Sequence, residues 1–192
     1  MKKQQIKLTK AQQNRFENLK LTIELVPSSC WWSNVRSKIK RTQWDRLRKQ
    51  VYKAADYKCE ICGGVGTKHP VECHEIWDYD DKNKLQTLSK FIAICPLCHE
   101  VKHIGLTATW EGDYYLRAYK RFQEINKLTI EETRLFISYF WHQWRERSKH
   151  QWKLDISLLD NYDIDLETSK FNEFDRKNSK KKNAILSDKS SD

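Results

Sequence analysis

Short apolar periodicities alternate with polar stretches along this chain, and they predict a mixed architecture. Leu21-Thr-Ile-Glu-Leu-Val alternates apolar and polar residues and stops at Pro27, the pattern of a short strand. Trp44, Leu47, Val51 and Ala54 recur at helical spacing. With Thr42 as N-cap and Asp45 three residues on, they predict a helix over about 42–56. Val71 to Trp77 reads as a strand, Asp78 to Ser89 as a polar loop, and Phe91 to Ile94 as a short apolar strand. Pro96 is placed to open a helix that runs to about Ile104 and ends at Gly105.

Two longer helices are predicted over 112–127 and 129–152. Leu116, Tyr119, Phe122 and Ile125 give the first an apolar stripe. Leu135, Phe136, Tyr139, Phe140 and Trp144 do the same for the second, which Thr129 and Glu132 open with a capping box. These aromatic stripes read as core rather than as a platform for stacking bases. The ends differ in character. Residues 1–20 are polar and read as a loose helix or an arm. An acidic stretch holds Asp155, Asp160, Asp163, Asp165 and Glu167, and from about 168 the tail is rich in Lys, Ser and Asn. That tail is expected to be disordered, with Lys180-Lys181-Lys182 adding attraction to a phosphate backbone. The division is therefore 1–40, an arm with a short strand; 41–110, a central unit; 111–167, a helical extension; and 168–192, a basic tail.

Composition sharpens this picture. Hydrophobic residues make up 39% of 192, enough for a core, and only 5 Gly and 3 Pro argue against a loop-rich chain. The net charge of +10 favours a polyanionic partner, nucleic acid first. The basic residues Arg41, Arg46, Arg48, Lys49 and Lys53 of the helix over 42–56 read first as a solvated face. No apolar run approaches the roughly 20 residues needed to cross a bilayer. Met1-Lys-Lys-Gln-Gln leads into no apolar segment and is not read as a signal peptide. No membrane partner is expected, and a reducing, cytoplasmic location is.

The chemistry concentrates between 59 and 104. Cys59-x-x-Cys62 and Cys95-x-x-Cys98 form two knuckles, each able to aim two thiolates at one centre. Four thiolates close a tetrahedron and leave no open position, so the metal they predict is a structural Zn²⁺. Six cysteines could instead form three disulfides, but two such pairs without an export signal fit reduced thiolates better. A thiol redox role for Cys59-x-x-Cys62 lacks a βαβ context. His99 and His103 stand four apart on the short helix, on one face, and two imidazoles there can ligate a divalent ion. The clamp would bring His74 against that helix, where a neutral imidazole is a suitable base for activating water. Cys73 could add a third ligand, and Glu75 competes as base or ligand.

Strand with Cys73-His74, loop, strand 91–94, then helix with His99: in this order the residues resemble the HNH (His-Me finger, ββα-metal) nucleases, many of which brace their small motif with a four-cysteine zinc clamp. The resemblance covers about 59–104. It implies an α+β fold with a ββα-metal core, flanking helices and a disordered tail. It implies a metal-dependent endonuclease that nicks or cuts duplex or branched DNA, with His74 as general base. His99 falls on the histidine that ligates the catalytic ion, and His103 on a second helix ligand of some members. Cys73 falls where members place an acidic or histidine ligand. Lys90 falls on the middle position, usually Asn, among the catalytic residues. The catalytic ion would be Mg²⁺, Mn²⁺, Ni²⁺ or Zn²⁺; a cysteine ligand disfavours Mg²⁺ and suits a transition metal. The alternative is a zinc-braced nucleic-acid-binding module with a decayed active site, which the cysteine and the lysine at those two positions favour.

Overall fold

A long β-hairpin organises the molecule. In a computed structural model that describes residues 6–30, 34–162 and 164, β1 (Glu72–Asp80) pairs antiparallel with β2 (Leu85–Ile94). The short β3 (Lys153–Asp155) adds in parallel to the start of β2, giving the order β1-β2-β3. Among the described residues, seven helices surround this sheet, so the fold is mixed α+β. Met1–Gln5, Trp31–Ser33, Asp163, and the stretch from Asp165 through the basic tail lie outside the described residues.

The hairpin is longer than its apolar pattern predicts. The stretch 78–89, expected as a loop, extends both strands and narrows the turn to residues 81–84. The turn is held by the Asp80 carboxylate, which accepts from the Lys82 N–H (3.0 Å), the Asn83 N–H (2.9 Å) and Asn83 Nδ2 (2.6 Å). Lys84 then takes a left-handed φ of 54°. Gln86 and Leu88 bury their side chains, so polar sequence here is one face of a strand rather than a loop.

Side chains alternate across β1, and each face has its own core. On one face Ile76, Ile92 and Ile94 pack against α4 (Pro96–Lys102), α5 (Ile104–Thr107), α6 (Tyr114–Asn126) and α7 (Ile130–Arg147). Phe122 of α6 and Phe136 of α7 are fully buried there, and α1 (Lys10–Glu17) adds Phe16 at 5.5 Å from the Phe136 ring. On the other face Cys73, Trp77, Phe91 and Ala93 pack against α2 (Val35–Lys38), α3 (Arg41–Ala54) and a 3₁₀ turn at Ser157–Tyr162. The first core draws on the arm, the central unit and the helical extension together. Burying one of its aromatic rings removes enough apolar surface to contribute roughly 2–3 kcal/mol.

Several elements differ from expectation. Leu21 to Val26 joins no sheet. It runs extended along α4, with the Glu24 N–H donating to the Lys102 carbonyl at 3.0 Å. Its alternation is satisfied because Leu21 and Ile23 bury against helices rather than a second strand. Lys40, not Thr42, holds the cap position of α3, where its N–H donates to Gln43 Oε1 at 3.3 Å. α4 breaks at His103, and Gly105 lies inside α5 instead of ending the helix. A side chain at Gly105 would begin 2.9 Å from Leu25 Cδ2 and 3.3 Å from the Trp141 ring, so the glycine permits close packing. α7 stops at Arg147, whose carbonyl accepts from the Trp152 indole at 2.9 Å, and the chain turns into β3. Leu116 faces solvent, 48% exposed, rather than the core. The Thr129–Glu132 capping box is present. Arg41, Arg46, Lys49 and Lys53 are exposed along α3. No helix among the described residues is long and apolar enough to cross a membrane.

Candidate metal centres

The four cysteines converge. Cys59 and Cys62 lie on a tight turn before the hairpin, where the Cys59 N–H donates to the Gly64 carbonyl (2.9 Å) and the Gly63 N–H to the Cys59 carbonyl (2.8 Å). Gly63 supplies the φ of 75° that this knuckle requires. Glu60 ties the turn to β2, its N–H donating to the Ala93 carbonyl at 2.9 Å and its carboxylate accepting from the Ala93 N–H at 2.7 Å. Cys95 caps α4, Pro96 fills its first turn, and Cys98 follows fully buried. All four sulfurs lie within 4.8 Å of one another.

Spacing and chemistry both fit a tetrahedral ion. A regular tetrahedron with metal–sulfur bonds of about 2.3 Å has edges of about 3.8 Å, and Cys62 and Cys95 Sγ are 3.7 Å apart. A disulfide would hold them at about 2.05 Å. Hydrogen bonds from the Cys95 and Cys98 thiols hold Cys59 low and favour its thiolate. The same contacts with Cys59 push Cys95 and Cys98 up. Four thiolates at this spacing repel unless a cation neutralises them, so the group can bind a metal ion and the donor set suits Zn²⁺. Arg121 of α6 reaches toward this cluster, its guanidinium 4.0 Å from Cys98 Sγ, while its buried Nε makes no hydrogen bond.

The second group is His74, His99 and His103, whose ring nitrogens also lie within 4.8 Å of one another. His74 points from β1 toward α4, opposite Ile92. His99 and His103 sit one turn apart, the His103 N–H donating to the His99 carbonyl at 3.1 Å. The His74 ring centre is 5.1 Å from that of His99 and 4.9 Å from that of His103. The hairpin and the clamp thus deliver one histidine from a strand and two from the helix that the clamp begins.

Carboxylates set which nitrogens remain open. Glu72 accepts a hydrogen bond from His99 Nδ1 and, at 2.8 Å, one from His69 Nε2. The His99 bond is the main reason its carboxyl is held down at about 2. With Nδ1 donating, His99 Nε2 carries a lone pair, and it stands 3.1 Å from His103 Nε2. Two nitrogens each about 2.0–2.1 Å from one ion would be about 2.9–3.4 Å apart at angles between 90° and tetrahedral, so this pair also fits a shared cation. The carboxylate–histidine arrangement is the usual support for a metal-bound imidazole. Burial lowers His74, and it lowers His103 to about 3, so both rings are neutral near pH 7.

Neither Glu72 nor Glu24 stands out in the sequence, and Glu24 is the more distant of the two. It comes from the extended segment beside α4, 50 positions before His74, and its Oε2 accepts from His74 Nε2 at 3.0 Å. Its Oε1 accepts from Lys102 Nζ at 2.6 Å, and Lys102 also donates to Thr22 Oγ1 at 2.8 Å. Burial opposes ionisation of Glu24, but the hydrogen bond from His74, with Lys102 behind it, holds its carboxyl low. Because Nε2 donates to this carboxylate, Nδ1 is the His74 atom left to accept a proton or a metal.

Three other candidates lie outside the histidine cluster, although Cys73 and Glu75 line the cleft into which it opens. Cys73 faces the opposite core from His74, as strand alternation requires, and burial with the nearby Glu75 charge pushes its thiol up to about 12. It is not among the clustered histidine ligands. Glu75 is also turned away. Burial raises it to about 7, and it accepts from the Val35 N–H (2.9 Å), the Arg36 N–H (3.4 Å) and the Trp77 indole (3.2 Å). That makes it a brace for the start of α2. Lys90 is exposed on β2 opposite Ile76 and does not line the cleft into which the histidines open.

No protein-family model matches the chain, and neither the curated proteins nor the solved structures contain a match to it.

Proposed function

We propose that this chain is a metal-dependent endonuclease of the HNH, ββα-metal kind that hydrolyses phosphodiester bonds in DNA. One observation carries the reading: His74 on a hairpin strand faces His99 and His103 on the following helix, and the helix starts at a four-cysteine clamp. The net charge of +10 supports a polyanionic substrate. A divalent ion held by His99 and His103 would neutralise charge on the phosphate and stabilise the leaving oxygen. Zn²⁺ in the clamp would hold the helix in register with the strand.

The protein's own groups do the proton work. His74 Nδ1 takes a proton from water as the water oxygen bonds to phosphorus. The bond from phosphorus to one sugar oxygen breaks, and that oxygen takes its proton from solvent. Glu24 keeps His74 in the required tautomer and offsets the positive charge the ring acquires. Lys102 fixes Glu24 in turn. Glu72 does the corresponding work for His99, and Cys73, whose side chain turns to the other face, is not among the ligands in this reading.

A second reading, a nucleic-acid-binding module without catalysis, is favoured by one feature: Lys90 stands where the family uses an Asn that accepts a hydrogen bond. A plasmid-nicking assay across Mg²⁺, Mn²⁺, Ni²⁺ and Zn²⁺ separates the two. Relaxed plasmid with at least one metal supports the nuclease; retention of plasmid without nicking under every metal supports the module.

A further inference from the structure

We propose that the cleft beside the histidine cluster seats one unpaired nucleobase of the substrate, next to the phosphate that is cut. The proposal rests on the nuclease reading and names its substrate class: nucleic acid with an unpaired nucleotide at the scissile position rather than continuous duplex. The cleft has a volume of about 640 Å³, within the roughly 300–1,000 Å³ usual for sites that enclose a small organic group. His74, His99 and His103 open directly into it.

The lining decides what can enter. Leu25, Leu106, Trp141 and Trp144 form apolar walls next to the helix histidines. The Trp144 indole N–H already donates to the Val26 carbonyl at 2.9 Å, so this ring presents carbon surface rather than a donor. Gly105 lets the helix backbone approach Trp141 closely and keeps that ring at the cleft. The carboxylates here are Glu24 and Glu75, and beyond the histidines the cation is Arg36, exposed. A phosphate chain cannot follow such a path, because its charges would lose water and meet carboxylates instead of cations. An uncharged, planar base can, since every base offers a π-face to an indole. Its phosphate would remain at the cluster, with Arg36 available to a neighbouring phosphate. A base held in a duplex must first be unstacked, at a cost of a few kcal/mol that an unpaired base avoids.

The test uses the full-length zinc-loaded chain and two DNA duplexes carrying 2-aminopurine at one position, either bulged or fully paired. Binding is followed with no added divalent ion. The expected result is quenching of the bulged probe and about 5- to 150-fold tighter binding of that duplex, the range of one aromatic stacking contact. Trp141→Leu removes one wall, and Leu106→Trp fills the cleft from a position 43% exposed to solvent, where the larger ring is tolerated. Both variants, checked for zinc content and helical signal, should bring the two affinities together. Equal affinities and an unquenched probe in the wild type overturn the pocket while leaving metal-dependent nicking, and hence the nuclease reading, intact. Quenching without cleavage by any metal keeps the pocket and overturns the nuclease. Failure to bind either duplex overturns both.

Discussion

Replacing Glu24 by Gln tests the buried network behind His74. The side chain keeps its size, but its amide has one accepting oxygen where the carboxylate has two, so the loss is one negative charge and one of the two hydrogen bonds, from His74 Nε2 or from Lys102 Nζ. The ammonium of Lys102 depends on that charge: its side chain is only 5% exposed, and its partners are Glu24 Oε1 at 2.6 Å and Thr22 Oγ1 at 2.8 Å. Removing one member of a buried pair typically costs about 3–5 kcal/mol, because the other charge stays buried without compensation. Glu24 retains 18% exposure, which admits some water and puts the expected cost at the lower end, about 3 kcal/mol. The second half of the cycle is Lys102→Met, and the double variant should regain most of the loss, since a neutral pair in place of a buried ion pair is often no less stable. Urea unfolding of the four zinc-loaded proteins gives the coupling energy, expected at about 2–3 kcal/mol. A Glu24→Gln protein within 0.5 kcal/mol of wild type, or a double variant no better than the single ones, would refute the assigned network; 0.5 kcal/mol is about the ordinary scatter of surface substitutions. The same double variant should still cleave slower than wild type by about 10- to 100-fold, because His74 has lost its carboxylate support.

Other consequences follow from the same geometry. Cys98→Ser should abolish stoichiometric zinc binding and the cooperative unfolding transition, read by metal analysis and circular dichroism, because a structural zinc contributes folding energy directly. Arg121→Ala removes the cation beside Cys98, and zinc transfer to a chelating dye should become several-fold faster with the fold retained; an unchanged rate would show that the guanidinium does not steady the clamp. Phe122→Ala should destabilise the chain by about 3–5 kcal/mol in urea unfolding, as the ring is fully buried between α6, α7 and the sheet. Cys73→Ala and Lys90→Ala should leave nicking rates within a few-fold of wild type, since Cys73 lines the cleft without joining the clustered ligands and Lys90 does not line it; a hundred-fold loss in a folded protein would return either residue to the site.

The cysteine clamp and the helix histidines were legible because their geometry is local. Two residues between cysteines define a knuckle, and four positions along a helix define a face. The hairpin was only half legible. Asp78, Asp80 and Thr87 made the sequence look like a loop, although Tyr79, Gln86 and Leu88 still alternate inward enough to continue a strand. Cys73 stands next to His74 in the sequence, but strand alternation turns it to the other face, whereas Glu72, two positions off, shares the face of His74. Glu24 left no such signal. It reaches His74 only because an extended segment 50 residues away lies against α4, and a single polar residue in an alternating run looks like any solvent-facing position. Thr42 has the chemistry of a cap, yet α3, which buries Trp44, Leu47 and Val51, is capped two residues earlier, at Lys40.

In the proposed reaction His74 is the base and the cysteine clamp is only the frame. The nicking rate of supercoiled plasmid by His74→Ala, measured with the metal that best supports the wild type, tests it most directly. The expected loss is about 10²- to 10⁴-fold, the contribution of a positioned general base, in a protein that keeps its zinc and its unfolding transition. Wild-type nicking by that folded, zinc-loaded variant would contradict it.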